Sequence, residues 1–379
     1  MARERADVGT YDDIVAAAVR TTGLSDFGGT DHEEGLRLLV DDLNAPTAGL
    51  TGVGNYMQRA QVKSALVGRL LSEAGFAAHP SYAGVPIERP VFVVGLPRTG
   101  TTAIHRLLTA DPRHQGIELW LTEYPQPRPP RETWADDPIF NGINAAYSQH
   151  NVENPEFMGI HYMDGTSVEE CWRILRQCGL SIGYESLAHV PNYSAWLAKQ
   201  DWTPAYQRHK ANLQLIGLND QDRRWVLKNP SHLVALDAIM AVYPDALIVQ
   251  MHRDPVVSIA SACSLSAEAT AGWSTTFVGE TIGRTQLDML ARCHASFMAA
   301  REKYDATQFH DVDYRAFVAD PVGTTQGIYE AFGLGWTDEV AASVTRIDEE
   351  SRQGGKRPKH SYSLEDYGLT EEQVRAAFA

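Results

Sequence analysis

The first ninety residues carry apolar side chains at the spacing of an α-helix. Three segments show the pattern, in which apolar residues recur every three or four positions: Tyr11 to Val19, Asp31 to Asp42 and Gln58 to Ala74. Asp31 and Glu34 have the spacing of a capping box at the start of the second segment. The pattern therefore predicts a helical N-terminal module over residues 1–89, packed on the rest of the chain.

Shorter apolar runs follow, and they predict strands. The runs are Val91 to Gly95, Arg224 to Leu227 and Ala246 to Met251. A segment with helical spacing, His232 to Val242, separates the last two. Strands that alternate with helices of this length form a parallel sheet with right-handed crossovers. We therefore expect an α/β fold, with a parallel sheet flanked by helices, over residues 90–379.

Within that domain, residues 137–214 are predicted to form a mostly helical insertion. A proline-dense run, Tyr124 to Pro130, precedes it and suits neither a helix nor a central strand. The insertion is rich in aromatic residues: Phe140, Tyr147, Phe157, Tyr162, Trp172, Tyr184, Tyr193, Trp196, Trp202 and Tyr206. Either they pack helix against helix, as aromatic side chains do in most cores, or some of them line an apolar pocket. Further on, the charged stretch Asp348 to His360 predicts a loop.

Composition narrows the possible functions. The 379 residues are 44% hydrophobic and 21% charged, as in an ordinary globular protein, with no apolar run of about 18 residues to span a bilayer. The N-terminus is charged and leads into no apolar secretory segment. A net charge of −15 makes nucleic acid a poor partner. The four cysteines lack the spacing of zinc sites. We therefore expect a cytoplasmic protein with free thiols.

The most informative segment joins the first predicted strand to a predicted helix. Gly95 and Gly100 bound a short loop, and a helix that starts after such a loop aims backbone N–H groups and its positive dipole end at one point. The glycine spacing matches the phosphate loop of nucleotide hydrolases, but Thr101 stands where that loop has its lysine. Arg98 supplies a cation in mid-loop instead. The loop favours a phosphate or sulfate ligand and argues against ordinary ATP hydrolysis.

Three cations are predicted to lie at one edge of the sheet. Arg98, Lys228 and Arg253 each come just past the end of a predicted strand. The carboxyl ends of parallel strands share one edge, and ligands of open sheets bind beyond it. In an acidic chain these residues would form a local positive island that suits an anionic ligand.

Several motifs resemble those of one known family. The segment Val94 to Thr102 resembles the 5′-phosphosulfate loop of sulfotransferases that use 3′-phosphoadenosine-5′-phosphosulfate (PAPS). Ala246 to Ser261 is similar to their 3′-phosphate segment, and Trp225 to His232 to the Leu-Lys-x-Pro strand end of the bacterial branch. Two downstream segments match that branch in kind and order: Asp311 to Pro321 and Tyr362 to Leu369. The resemblance covers residues 90–370 and implies the P-loop-like sulfotransferase fold.

That resemblance implies a donor site and a reaction. The reaction is transfer of a sulfuryl group from PAPS to a hydroxyl or amine of a small-molecule or lipid-like acceptor, with PAP as product. Arg253 and Ser261 would bind the 3′-phosphate, unless Arg253 pairs with Asp254 instead. Lys356 and Arg357 resemble, more loosely, a basic loop that folds over this phosphate, or else form a solvated charge run. The 5′-phosphosulfate would lie on the loop residues Pro97, Arg98, Thr99, Gly100, Thr101 and Thr102.

Sulfuryl transfer also needs cations near the reacting oxygens and a base for the acceptor's proton. Arg98 would stabilise charge at the bridging oxygen and Lys228 would be the second cation, unless Lys228 is a rim residue in a surface salt bridge. Two residues compete for the role of base. Glu118 follows Arg98 at a distance similar to that of the catalytic Glu of the tyrosylprotein branch, whereas His232 lies near the His of the cytosolic branch. We favour Glu118 and keep His232 as the alternative.

Two other functions remain open at this point. A phosphate-loop small-molecule kinase would need ATP and Mg²⁺, but the loop lysine and an acidic metal-binding strand are missing from the sequence. A non-catalytic anion-binding module of the same fold would bind without turnover. The thirteen histidines form no metal-binding motif, so we expect no metal.

Overall fold

The computed structural model describes residues 3–153, 164–353 and 362–379. Its strands are β1 (Val91–Gly95), β2 (His114–Gln115), β3 (Ile117–Glu118), β4 (Val168–Glu169), β5 (Arg224–Lys228), β6 (Leu247–His252) and β7 (Phe309–Asp313). Its α-helices are α1 (Tyr11–Thr22), α2 (Glu33–Asn44), α3 (Gly52–Ala78), α4 (Thr101–Thr109), α5 (Leu119–Glu123), α6 (Pro138–Glu153), α7 (Trp172–Leu175), α8 (Pro191–Leu197), α9 (Thr203–Ile216), α10 (Leu236–Val242), α11 (Pro255–Ala269), α12 (Gly279–Arg301), α13 (Tyr314–Ala319), α14 (Pro321–Phe332), α15 (Asp338–Gln353) and α16 (Glu371–Ala377).

The central sheet is parallel, which confirms the predicted α/β class. Its five strands lie in the order β2, β5, β1, β6 and β7, and each pairs with its neighbours in parallel. The carboxyl ends of all five strands therefore face the same edge. Lys228 is the last residue of β5 rather than the residue after it, and Arg253 directly follows β6. The short strands β3 and β4 pair antiparallel beside this sheet.

Both faces of the sheet are covered by helices. Phe92 and Val94 of β1 point into a large apolar cluster that also contains residues of α1, α2, α3, α9 and α12. The alternate residues Val91 and Val93 point into a second cluster, with residues of α4, α14 and α15. A strand buried on both faces carries apolar side chains at consecutive positions, which explains the unbroken run that marks β1 in the sequence.

The three predicted N-terminal helices are confirmed, but the predicted capping box at Asp31 is wrong. His32 is the N-cap of α2, and its side chain makes no capping hydrogen bond. Asp31 instead accepts from Nη1 of Arg69 at 3.0 Å. The Arg69 side chain is 1% exposed, and a buried guanidinium left without a counter-charge is strongly destabilising. The ion pair therefore determines the position of Asp31.

In the predicted insertion, the described residues form α6, α7, α8 and α9 together with strand β4. Five of the aromatic residues singled out above are buried: Phe140, Tyr184, Tyr193, Trp202 and Tyr206. Packing therefore accounts for half of that list, while Phe157 and Tyr162 lie outside the described residues.

The prediction of a loop over Asp348 to His360 is wrong for its first six residues, 348–353. Helix α15 continues to Gln353, and Arg352 pairs with Asp348 one turn away at 2.7 Å. Opposite charges four residues apart stabilise a helix, so the charged composition of this stretch supports helix rather than loop. Residues 354–361, which include Lys356 and Arg357, lie outside the described residues.

Candidate functional site

The glycine-bounded loop is a tight connection between β1 and α4. Gly95 has φ of +150° and Gly100 has φ of +90°. A Cβ atom on Gly95 would lie 2.8 Å from the carbonyl oxygen of Met251, so only glycine fits there. Thr99 is buried and donates its hydroxyl to the carbonyl of Leu96 at 2.7 Å. The loop is thus held in one conformation by its own residues and by β6.

Helix α4 begins at Thr101, and its first turn lies at the carboxyl edge of the sheet. Its N-cap is Gly100, and no side chain caps this helix within the part of the chain described. The N–H groups of a first helical turn have no partner inside the helix, and together with the dipole they suit an anion.

Arg98, Arg253 and Ser261 meet beside the loop. Arg98 is one of two described non-glycine residues with positive φ, at 70°. Its carbonyl oxygen accepts from Nη1 of Arg253 at 2.6 Å, and its Nε donates to the Ser261 hydroxyl at 3.2 Å. The Arg253 guanidinium also lies 4.2 Å from the ring centroid of Tyr314. The structure therefore brings together the residues predicted to bind the two ends of the donor.

The alternative partner of Arg253, Asp254, has other contacts. Its carboxylate accepts from the N–H of Val256 at 2.9 Å and caps α11. It also lies 3.4 Å from Nη2 of Arg375 in α16. These contacts account for Asp254 without an ion pair to Arg253.

Lys228 lies on the other side of the loop and is buried. Its side chain is 4% exposed, and its Nζ donates to the Thr102 hydroxyl at 3.1 Å and to the carboxylate of Glu170. Asn229 donates its amide to the other oxygen of Glu170 at 3.3 Å. Lys228 is therefore no rim residue in a surface salt bridge, and it brings Glu170 to the start of α4.

Glu170 is the site residue that sequence reasoning missed. It follows β4, a strand of two residues. In β4, Glu169 pairs with Ile117 of β3, and Val168 pairs with Glu118. Neither strand is long enough to leave an alternating pattern in the sequence. The pair of carboxylates Glu169 and Glu170 before a cysteine is the only local signal, and it matches no motif.

The structure places Glu118, the favoured base, in a structural ion pair. Its carboxylate accepts from Nε of Arg128 at 3.0 Å. Arg128 is buried and also donates to Gln115 at 2.6 Å and to Asp220 at 2.7 Å. Gln115 is the last residue of β2, and Asp220 precedes β5. Glu118 is thus engaged in an ion pair, and its role as base stays a prediction.

His232, the alternative base, lies in the hydrophobic core. It is 0% exposed, and its Nδ1 lies 2.5 Å from the hydroxyl of Tyr206. Its ring packs edge-on against Phe92 at 5.0 Å. Burial, with smaller effects of His209, His105 and Lys228, holds the pKa of His232 well below its usual range. By these contacts His232 is a neutral residue of the hydrophobic core.

Buried neutral histidines make stability depend on pH. Burial lowers the pKa of His105 and His209 to about 3 and that of His32 to about 4. In the unfolded chain these histidines bind protons near pH 6.5, whereas in the folded protein they stay neutral. Their contribution to the free energy of unfolding is therefore fully present above pH 6.5 and is lost as the pH falls toward the pKa values of the folded protein. We expect the free energy of unfolding to fall by about 1 kcal/mol per buried histidine between pH 7 and 5.5.

Chemical denaturation at several pH values measures this effect. His209→Gln removes one such group, so its stability should fall less steeply with pH than that of the wild type. A free energy of unfolding that stays constant from pH 7 to 5.5 would contradict the assignment.

Two further properties of the described residues bear on function. No helix among them is both long and apolar enough to cross a membrane. In the same residues, no group of three or more His, Cys, Asp or Glu side chains is arranged to hold a metal ion.

Comparison with known proteins finds similar sulfotransferases. The sulfotransferase STF1 of Mycobacterium tuberculosis H37Rv has 52% sequence identity and a TM-score of 0.92 over 99% of this chain and 100% of its own. The sulfotransferase STF9 of Mycobacterium avium has 28% identity and a TM-score of 0.88 over 99% and 96%.

The sequence also matches curated proteins of M. tuberculosis and M. bovis. Both are omega-hydroxy-beta-dihydromenaquinone-9 sulfotransferases Stf3, 26% identical over 257 residues and 65% of this chain. The match spans 63% of the length of these relatives.

The loop, its cations and the parallel sheet all fall within the part of the chain that matches a family profile. The profile described as "Sulfotransferase family" matches residues 90–338, more than half of the chain. By this profile match and the fold that it shares with the solved structure of STF1, this chain belongs to the sulfotransferase family.

Proposed function

We propose that this protein transfers a sulfuryl group from PAPS to a hydroxyl, or an amine, of a small-molecule or lipid-like acceptor. One observation carries the proposal. Arg98, which contacts Arg253, and Lys228, which contacts Thr102, lie by the start of α4 at the carboxyl edge of the sheet, and Lys228 holds the carboxylate of Glu170 there. Cations bind the donor there, and the carboxylate serves as base.

The residues of the site fit PAPS better than ATP. The loop N–H groups with the Thr101 and Thr102 hydroxyls suit the 5′-phosphosulfate. Arg253 and Ser261, which both touch Arg98, suit the 3′-phosphate that ATP lacks. The family resemblance adds Lys356 and Arg357 as candidate ligands of that phosphate. A kinase would need a lysine at Thr101 and carboxylates that bind Mg²⁺.

Two cations of the site act on the sulfuryl group. Arg98 and Lys228 stabilise the charge that develops on the oxygens around the sulfur and on the bridging oxygen. Arg98 has the fork geometry to bind two oxygens at once, but it stays charged and cannot take a proton. These cations therefore stabilise charge, and the proton must go to another group.

Glu170 is the group that we propose as general base, in preference to Glu118 and His232. Its carboxylate takes the acceptor's proton as the acceptor oxygen bonds to sulfur, the bond from sulfur to the bridging oxygen breaks, and PAP leaves. Support comes from its position: it contacts Lys228 and Asn229 next to Thr102. A base must lie within hydrogen-bond reach of the proton it removes.

The class of acceptor is proposed from a relative's name. Stf3 is named for an omega-hydroxy-beta-dihydromenaquinone-9, a lipid with a hydroxyl. We propose a lipid-like alcohol as the acceptor here as well, and a cytoplasmic location where PAPS is available.

Ligand-dependent unfolding tests the donor. A ligand that binds only the folded state stabilises it by about 2.7 kcal/mol at one hundred times its Kd. We expect PAP to raise the unfolding temperature more than adenosine 5′-phosphosulfate at equal concentration, because the latter lacks the 3′-phosphate. ATP with Mg²⁺ should stabilise least. Greater stabilisation by ATP with Mg²⁺ than by PAP would favour the kinase, and none by any of the three would favour the non-catalytic module.

A further inference from the structure

A buried charge cluster lies beside Glu170 and is not used by the proposed reaction. Its centre is Arg173 of α7, whose side chain is 7% exposed. Nε of Arg173 donates to Oε1 of Glu123 at 2.6 Å, and Nη2 donates to the Tyr147 hydroxyl at 2.8 Å. The Tyr147 hydroxyl in turn donates to Glu123 at 2.8 Å. Three side chains from α5, α6 and α7 thus close a ring of hydrogen bonds, here called the Arg173 cluster.

The cluster faces Glu169, the residue before the proposed base. Nη1 of Arg173 lies 3.8 Å from Oε2 of Glu169 and has no hydrogen-bond partner within the described part of the chain. Arg173 thus lies between the carboxylates of Glu123 and Glu169. Its Nη1, which binds neither Glu123 nor Tyr147, makes the ionic contact to Glu169.

Glu169 in turn holds the backbone of Glu170. Its Oε1 accepts from the N–H of Glu170 at 2.8 Å. On the other side, the N–H of Cys171 donates to the carbonyl of Lys228 at 3.1 Å. The base is therefore fixed from both sides of its own residue, through Glu169 to Arg173 and through Cys171 to β5.

The charges of this arrangement persist at neutral pH. Burial alone would raise the pKa of Glu123, but Arg173 and Arg176 with the Tyr147 hydrogen bond lower it to about 2. Burial alone would lower the pKa of Arg173, but the carboxylates of Glu123 and Glu169 raise it above its usual value. The cluster is a fixed electrostatic support and does not titrate with the reaction.

We propose that Arg173 is a positioning residue for Glu170, acting through the carboxylate of Glu169. This inference rests on the proposed function, in which Glu170 is the base. The planar fork of arginine reaches Glu123, Tyr147 and Glu169 at once, whereas a lysine ammonium cannot span them. Arg173→Lys should therefore loosen Glu169 and shift Glu170. Displacement of a reacting group by about 1 Å can cost up to 100-fold in rate.

Amide hydrogen exchange tests the structural link without any substrate. Arg173→Lys should speed exchange at the Glu170 N–H, because its acceptor Glu169 loses a fixed partner. Arg176→Lys is the matched control. Arg176 lies on the same tryptophan as Arg173, at 4.4 Å against 4.6 Å from the Trp172 ring, but donates to Gln61 and Ser64 instead. Equal exchange at Glu170 in both variants would overturn the link.

A double-mutant cycle tests the catalytic consequence. The rate is measured for Arg173→Lys, Glu170→Gln and the double variant. The assay follows transfer of the labelled sulfuryl group from PAPS to dodecan-1-ol, or hydrolysis of PAPS when water is the acceptor. Arg173→Lys alone should lower kcat about 10-fold or more with PAP affinity unchanged. In the combination it should add almost nothing to the loss from Glu170→Gln, since a residue that acts only through the base has no effect once the base is gone.

Each outcome of the cycle decides something. Multiplicative losses, or full kcat in Arg173→Lys, would overturn the positioning role even if exchange at Glu170 rises. Arg176→Lys should instead combine multiplicatively with Glu170→Gln. If Arg173→Lys does not fold, Glu169→Gln replaces it in the same cycle. Full activity of Glu170→Gln would mean that the proposed base is wrong, which is a different result from multiplicative losses.

Discussion

Glu170→Gln should lower kcat about 100-fold or more, because an amide cannot accept the acceptor's proton. The substitution keeps the size of the side chain and the contact of one oxygen with Lys228 or Asn229. It also removes the negative charge that pairs with Lys228, so the site becomes more positive and PAP should bind no less tightly. Steady-state kinetics with labelled PAPS and calorimetry with PAP measure the two effects separately.

Glu118→Gln is the matched comparison for this prediction. It makes the same chemical change at the carboxylate that pairs with Arg128, so it should lower stability, since it weakens a buried ion pair, and reduce kcat far less. The opposite ranking, with Glu118→Gln inactive and Glu170→Gln active, would return the role of base to the residue favoured by the sequence.

Arg253→Ala should weaken PAP binding by about 2 to 4 kcal/mol, the range expected when one partner of a charge-assisted phosphate contact is removed. The loss is at least about thirtyfold in Kd. Part of it comes from the loop, because Arg253 also donates to the carbonyl of Arg98, which has the unusual left-handed conformation. Calorimetric titration with PAP measures it.

Two comparisons make this prediction specific. Arg375→Ala removes an equal charge nearby, from a side chain that pairs with Asp254 and Glu371, and should change PAP affinity little. Adenosine 5′-monophosphate, which has no 3′-phosphate, should lose much less affinity than PAP in Arg253→Ala. Equal losses for both nucleotides would mean that Arg253 only supports the loop, and unchanged PAP affinity would refute its contact with the 3′-phosphate.

The sheet and the loop were predictable because their signals are local. A strand buried on both faces needs a continuous apolar run, and the turn after β1 needs glycine at Gly95, where a Cβ would meet Met251. The convergence of Arg98, Lys228 and Arg253 followed from one rule, that parallel strands end at one edge. Each of these inferences uses only a few consecutive residues and the alternation of strands and helices.

Glu170 was not predictable in the same way, because its position depends on partners far along the chain. It reaches the site through the pairing of two-residue strands and through Lys228 of β5. Glu118 and His232 have family-like spacing, but Arg128 holds one and the core surrounds the other. The Asp31 cap failed for a similar reason, since the buried Arg69 competes for the same carboxylate. Tertiary contacts decided all these positions, through ion pairs for the three carboxylates and through core packing for His232.

A crystal structure with bound PAP tests the central claim most directly. The account predicts the 5′-phosphate on the N–H groups of residues 98–102, the 3′-phosphate within hydrogen-bond distance of Arg253 and Ser261, and the Glu170 carboxylate facing the 5′ end. PAP bound away from the loop, or with its 3′-phosphate directed away from Arg253, would contradict it.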